Sequence, residues 1–191
     1  MKTSQRACTG MTAIEILIVM AFIAIIAGFS LPAYKAVRDK ARRASCMSNL
    51  KQFGQAIMLY QSEWGIMPWS WNGTANWDNC LGAAELVSKT DFAELYCPQY
   101  IQDEGNPNNR TYCMPVIHQN RTLEMFDDVA NTVLLGENRN GDASECQSIG
   151  GAFNQAHDSR HGGGSNYLFM DGHVEYLVPS EANGKTWPNV P

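Results

Sequence analysis

Glu15 stands at the head of an otherwise uncharged apolar run, Ile16 to Leu31. An ionisable side chain at the centre of a bilayer costs about 2.5–3.5 kcal/mol on insertion scales and is by default a functional candidate. Towards the other end of the chain, His161, Asp171 and His173, with His118 or His157 added, supply nitrogen and oxygen donors that would suit zinc. Glu137, Asn138 and Asp142 offer hard oxygen donors in a loop rich in glycine and asparagine, a chemistry that suits calcium, although the spacing is not that of an EF-hand. Plain structural readings compete with both. A tight turn explains Asp171, and hydrogen bonds that fix a glycine loop explain His161. The expectation is therefore no resident metal or cofactor, with Ca²⁺ as the ion held open. Six cysteines (Cys8, Cys46, Cys80, Cys97, Cys113 and Cys146) show no CxxC pair. An exported domain permits one or two disulfides, with Cys97–Cys113 as a candidate pair and buried free thiols as the alternative. There is no GxSxG, HExxH or phosphate loop, and no catalytic residue is expected.

The elements that must position these groups follow from patterning. Seven of the 14 Lys and Arg residues but only two of the 19 Asp and Glu residues lie before Ala44, so the rest of the 191-residue chain carries a formal −10. Such an acidic region does not suit nucleic acid, which needs clustered Lys and Arg. The basic cluster Lys35 to Arg43 suits lipid headgroups or the acidic surface of a neighbouring subunit. Hydrophobic content of 45% is ordinary, so the membrane expectation rests on clustering. Residues 11–31 make about 20 in sequence, the length that spans a bilayer core as a helix. Pro32 ends the run and bends the helix. Helical periodicity then resumes through Met47, Leu50, Phe53 or Gly54, Ile57 and Tyr60. One helix from about Met11 to Glu63 would be roughly 75–80 Å long.

Trp64 to Pro68 stops that helix. Trp64, Trp69, Trp71 and Trp77 read as core and lid packing, with a sugar- or protein-binding face as the alternative. Ala83 to Tyr96 suggests one or two short helical turns, Thr111 to Ile117 and Thr132 to Leu135 suggest strands, and Glu137 to Gly151 suggests a loop. Asn166 to Met170 and His173 to Val178 form two strands around Asp171-Gly172, the pattern of a two-residue type I′ hairpin. Gly162-Gly163-Gly164 ahead of it reads as a flexible entry.

Gly10-Met-Thr-Ala-Ile-Glu15 resembles the processing site of type IV pilins and type II secretion pseudopilins. The resemblance implies that a prepilin peptidase cuts after Gly10 and methylates the amine of Met11. Glu15 is then the fifth mature residue and Pro32 the twenty-second, matching the glutamate and the helix-bending proline of that family. Two positions depart: Met11 stands where the family prefers phenylalanine, and Ala13 where it prefers leucine. The resemblance also implies a role for Glu15. It would neutralise the α-amine of Met11 on a neighbouring subunit, because a paired charge is tolerated in a dry environment where a lone one is not. A second stretch, His161 to Asp171-Gly172, resembles the His, nine residues, Asp-Gly signature of a prepilin-like group, and Arg160 and Asn166 fit that pattern too. Cys97-Pro98 and Thr111 to Met114 resemble its middle more weakly.

The expected fold is α+β: a long N-terminal helix, transmembrane in its first half and amphipathic in its second, packed on a small antiparallel sheet. Expected boundaries are a cleaved leader over 1–10, a transmembrane and assembly helix over 11–32, and an exported pilin-like domain over 33–191. The expected function is that of a structural subunit of a type IV pilus or type II secretion pseudopilus. The alternative is a membrane-anchored surface binding module, for polysaccharide or protein, that uses the anchor without polymerising. The expected partners are the peptidase and methyltransferase, other pilin or pseudopilin subunits and the inner membrane, with no nucleic acid. The chain would cross the inner membrane once, N-terminus in the cytoplasm and globular domain periplasmic or extracellular.

Overall fold

The computed structural model describes residues 11–70, 76–87, 95–100, 111–115, 120–137, 145–146, 148–149, 152–153 and 160–182, with backbone alone for 30–33 and 145–153. The chain divides into two compact units, Met1–Arg38 and Asp39–Pro191.

The long helix α1 runs over Ala13–Trp64, close to the expected span. It is broken between Phe29 and Tyr34, where Pro32 stands. No single helix among the described residues is long and apolar enough to cross a membrane; the broken pair Ala13–Phe29 and Tyr34–Trp64 passes by length and composition when taken together. In the first unit every residue from Met11 to Phe29 is exposed.

The second unit has a sheet of five strands: β1 (Tyr112–Pro115), β2 (Val133–Glu137), β3 (Glu145–Cys146), β6 (Ser165–Phe169) and β7 (Val174–Leu177), in the order β3-β1-β2-β6-β7. The four strands β1, β2, β6 and β7 are antiparallel, and β3 adds to β1 in parallel. A separate pair, β4 (Ser148–Ile149) and β5 (Ala152–Phe153), is antiparallel. The described elements also include two short helices, α2 (Trp77–Ala83) and α3 (Pro179–Ala182), and a 3-10 turn at Leu123–Met125. The architecture is thus the expected α+β. One local expectation changes: the segment read as a loop after Glu137 contains strand pairs. The helix Trp77–Ala83 precedes the stretch Ala83 to Tyr96 expected to hold short helical turns, of which residues 88–94 lie outside the described residues and Leu95 is helical.

Side-chain alternation explains how the sheet is buried on both faces. Tyr112, Met114, Leu134, Leu135, Leu168 and Met170 share one core cluster with Cys46, Leu50, Phe53 and Ile57 of α1. Their sequence neighbours Cys113, Val133, Tyr167 and Phe169 form a second cluster with Leu177 and Ala182. Leu134 and Leu135 are adjacent yet enter the same cluster, because the β2–β6 register shifts between Val133 and Leu135 and an extra residue there re-aims the side chain. Trp77 is buried edge-on to Phe53, ring centroids 5.1 Å apart, so it belongs to the core. Trp64 stacks on Tyr60 and stays half exposed, and Trp69 lies at the surface; Trp71 lies outside the described residues.

The hairpin falls where the sequence places it, but its turn is of another type. A type I′ turn needs positive φ at both central residues. Here Gly172 has φ 88° and Asp171 is not in that region. Gly172 N–H donates to the Phe169 carbonyl (2.9 Å) and Phe169 N–H donates to the His173 carbonyl (2.9 Å). That is a three-residue loop, a tight turn closed by a left-handed glycine that forms a bulge. Asp171 adds the reason: its Oδ1 accepts the His173 backbone N–H at 3.1 Å, a bond that an aspartate makes two residues ahead of itself.

Candidate functional site

The first candidate site is the start of α1. Thr12 is the last residue before the helix and Glu15 the third inside it. Glu15 Oε2 accepts the Thr12 backbone N–H at 2.8 Å and the Thr12 hydroxyl at 2.8 Å. This is the carboxylate half of a capping box, which satisfies an amide that the helix leaves orphaned. Glu15 therefore has a structural task within its own chain, one that the spacing Thr-x-x-Glu carried and the sequence reading passed over. Met11 is exposed; Gly10 lies outside the described residues.

The second site was not legible as a unit. Cys46, Cys97, Glu137 and His161 are all buried, and their donor atoms all lie within 4.8 Å of one another. Each arrives from a different part of the second unit. Cys46 comes from the inward face of α1. Cys97 follows Tyr96, whose carbonyl accepts Asn49 Nδ2–H of α1 (3.3 Å), and its own N–H donates to Thr111 Oγ1 (2.8 Å) just ahead of β1. Glu137 closes β2. His161 sits in the turn before β6, where its N–H donates to the Gly164 carbonyl (3.3 Å) and its carbonyl accepts the Tyr176 hydroxyl (3.0 Å).

That turn is rigidly specified, which corrects the expectation of a flexible entry. Gly162 and Gly163 have φ of 76° and 105°. A Cβ on Gly164 would stand 2.5 Å from the Leu177 carbonyl oxygen. Three successive residues thus need glycine, and the turn they make leads from His161 into β6.

Within the cluster, His161 Nε2 lies 3.0 Å from Glu137 Oε1 and 3.5 Å from Cys97 Sγ. Asn166 holds the carboxyl group from the other side: its backbone N–H donates to Glu137 Oε2 (3.0 Å) and its Nδ2–H to Oε1 (2.9 Å). Asn166 Oδ1 is buried without a hydrogen-bond donor among the described residues. The electrostatics are those of a tightly coupled set. Cys97 is lowered to about 5, chiefly by the hydrogen bond from the Cys46 thiol; burial opposes this and His161 adds to it. The same bond, with burial, pushes the Cys46 thiol up. Burial alone would depress His161, yet contacts with Cys97 and Glu137 raise it to about 9. Beside the cluster is a cavity of about 270 Å³ whose lining includes Lys40, Arg43, Arg160, His161 and Tyr176. Arg43 lies over the Tyr176 ring and Arg160 over the Tyr100 ring.

Several expected groupings are redistributed. His161 is not joined to Asp171 and His173, which sit at the far end of the β6–β7 hairpin and bond each other there, Nδ1 to Oδ1 at 2.5 Å. Partial burial of Asp171 works upward, but bonds from His173 hold its carboxyl below the usual range. Glu137 is buried within the cluster; Asn138 and Asp142, the other residues proposed for calcium, lie outside the described residues, as do His118 and His157. The Cys97–Cys113 pair is not made. Cys97 is a free thiol, whereas Cys113 is disulfide-bonded to a cysteine other than Cys46, Cys80 or Cys97. The two sit in different core clusters, Cys113 in the second and Cys97 in the first.

Sequence reading missed Cys46 and Cys97 as partners, 51 positions apart. The available signal was Glu137, a carboxyl group closing the apolar strand Val133 to Gly136.

The chain matches the model of one protein family over residues 35–133, a stretch that includes Cys46 and Cys97 and stops short of Glu137 and His161. No curated protein and no solved structure matches it. The matched stretch is about half of the chain, covering the distal part of α1 and the middle region that the N- and C-terminal motifs left unmarked, and on it the protein belongs to the family described as DUF1559, protein of unknown function.

Proposed function

We propose that the protein is a prepilin-like structural subunit, processed after Gly10 and assembled through the first half of α1 into a type IV pilus or type II secretion pseudopilus. The observation that carries this reading is the state of residues 11–29. They form a helix that starts at Ala13, just after the proposed cut, and the large apolar side chains among them are exposed, from Val19 at 47% to Phe29 at 78%. A contiguous apolar surface of this kind marks an interaction with lipid or protein. Inner membrane before assembly, and other subunits after it, would supply that cover in turn. The family is associated with pilin-like, prepilin-type proteins, which supports the same reading. We propose no catalytic role.

Glu15 is the residue that tests the proposal, and its capping bond decides which variant to use. Glu15→Gln keeps an acceptor for the Thr12 N–H but removes the charge. The variant is expected to be cut, inserted and folded, yet to yield no filaments when producing cells are sheared. Filaments at wild-type yield would show that Glu15 only caps its own helix. The surface binding module is the second reading. Half-exposed Trp64 and surface Trp69 favour it, and buried Trp77 has left the proposed face.

A further inference from the structure

We propose that Cys46, Cys97, Glu137 and His161 form a structural zinc site that fastens the second half of α1 to the sheet. Four buried donors, two sulfur, one nitrogen and one oxygen, converge within 4.8 Å. Structural zinc takes four ligands of these types in tetrahedral geometry. His161 Nε2 is shared between Glu137 Oε1 and Cys97 Sγ, an arrangement in which donors point at a common centre. The two bonds from Asn166 to Glu137 are the kind of outer support that orients a ligating carboxylate.

The donor set also selects the ion. Two thiolates exclude the hard ions Ca²⁺ and Mg²⁺, which want oxygen, and the carboxylate and imidazole disfavour Cu(I), which wants soft ligands throughout. A dication would let both sulfurs be thiolates at once by offsetting two of the three negative charges that they and the Glu137 carboxylate then carry, and binding would release the protons the ligands hold. It would also explain a contrast in cysteine use. Cys113 is oxidised to a disulfide, yet two adjacent thiols remain free in the same domain. Cys80, by contrast, is a free thiol outside the donor set and serves as an internal control.

The test uses the full chain, purified in detergent with a reductant that does not bind metals. Metal analysis is expected to find one zinc per chain. After chelation, titration with Co²⁺ should produce thiolate-to-cobalt charge-transfer absorption and tetrahedral d–d bands saturating at one equivalent, and Zn²⁺ should bleach them. Cys80→Ser should keep the whole signal. Cys46→Ser should lose about half of the charge-transfer intensity at saturating Co²⁺ and weaken Zn²⁺ binding at least 100-fold. Because that variant could misfold, the wild-type cobalt spectrum stands alone as a decisive readout. Reduced wild type that takes up neither Zn²⁺ nor Co²⁺ at micromolar concentration would overturn the proposal. A Cys46–Cys97 disulfide in freshly isolated protein devoid of metal would overturn it equally, because a bridge would then do the fastening.

Discussion

Ile14 and Leu50 are aliphatic residues of one helix, yet Ile14 is 68% exposed and Leu50 is not exposed at all. The difference lies in what surrounds them in sequence. Residues 16–29 carry no polar face, so no orientation of that half on a soluble domain would bury its apolar surface and leave polar groups outside. Residues 46–57 alternate Cys46, Leu50, Phe53 and Ile57 with Lys51, Gln52 and Gln55, and only the first set is buried. One half is thus made for an environment the monomer does not provide, and the other is half of a core. Stability of the domain should depend on the second and be indifferent to the first.

Truncating one aromatic in each half tests that division most strongly. Phe53 packs against both Trp77 and Tyr112. Phe53→Ala should cost about 3–5 kcal/mol in chemical denaturation of the full chain in detergent. Phe22→Ala should change the same transition by less than about 0.5 kcal/mol. Equal costs would mean that the first half is part of the fold. A second experiment sharpens the role of the buried polar cluster. Asn166→Ala removes the Nδ2–H bond to Glu137 and leaves the backbone bond in place. A hydrogen bond to a charged group is worth about 1.5–3 kcal/mol, and loss of the unsatisfied Oδ1 offsets part of it, so a destabilisation of about 1.5 kcal/mol is expected. Glu137 would be unimportant to the fold if Asn166→Ala were neutral. At the hairpin tip, Gly172→Ala forces a Cβ into the left-handed region at about 1–2 kcal/mol. A type I′ turn would require positive φ at Asp171 as well, so Asp171→Gly should stabilise the hairpin only if that turn formed; the observed geometry predicts no gain.

Local, periodic features of the fold were readable in sequence because each is encoded within a few residues. The extent of α1, the strand pair around Asp171-Gly172 and the packing face of residues 46–57 all belong to this class. The turn type was misjudged because Asp-Gly also suits a three-residue loop, and the choice is made by the Asp171 bond to His173 N–H. The Thr12–Glu15 box was present in the spacing but hidden behind the membrane question. The cluster around His161 was not readable, since its members come from α1, the segment before β1, the end of β2 and a glycine turn. In sequence, Glu137 groups with Asn138 and Asp142, and His161 with Asp171 and His173. Tertiary pairing of β2 with β6, Gly136 against Tyr167, is what brings Glu137 and His161 together.

The central claim is that the chain is cut after Gly10 and that the exposed half-helix is then covered by other copies. Mass spectrometry of the N-terminus, on the chain recovered from filaments sheared off producing cells, tests it most directly. The account predicts a mature chain that starts at N-methylated Met11 and is enriched in that fraction. A chain that retains Met1 to Gly10, or a mature chain found only as membrane-bound monomer, would contradict it.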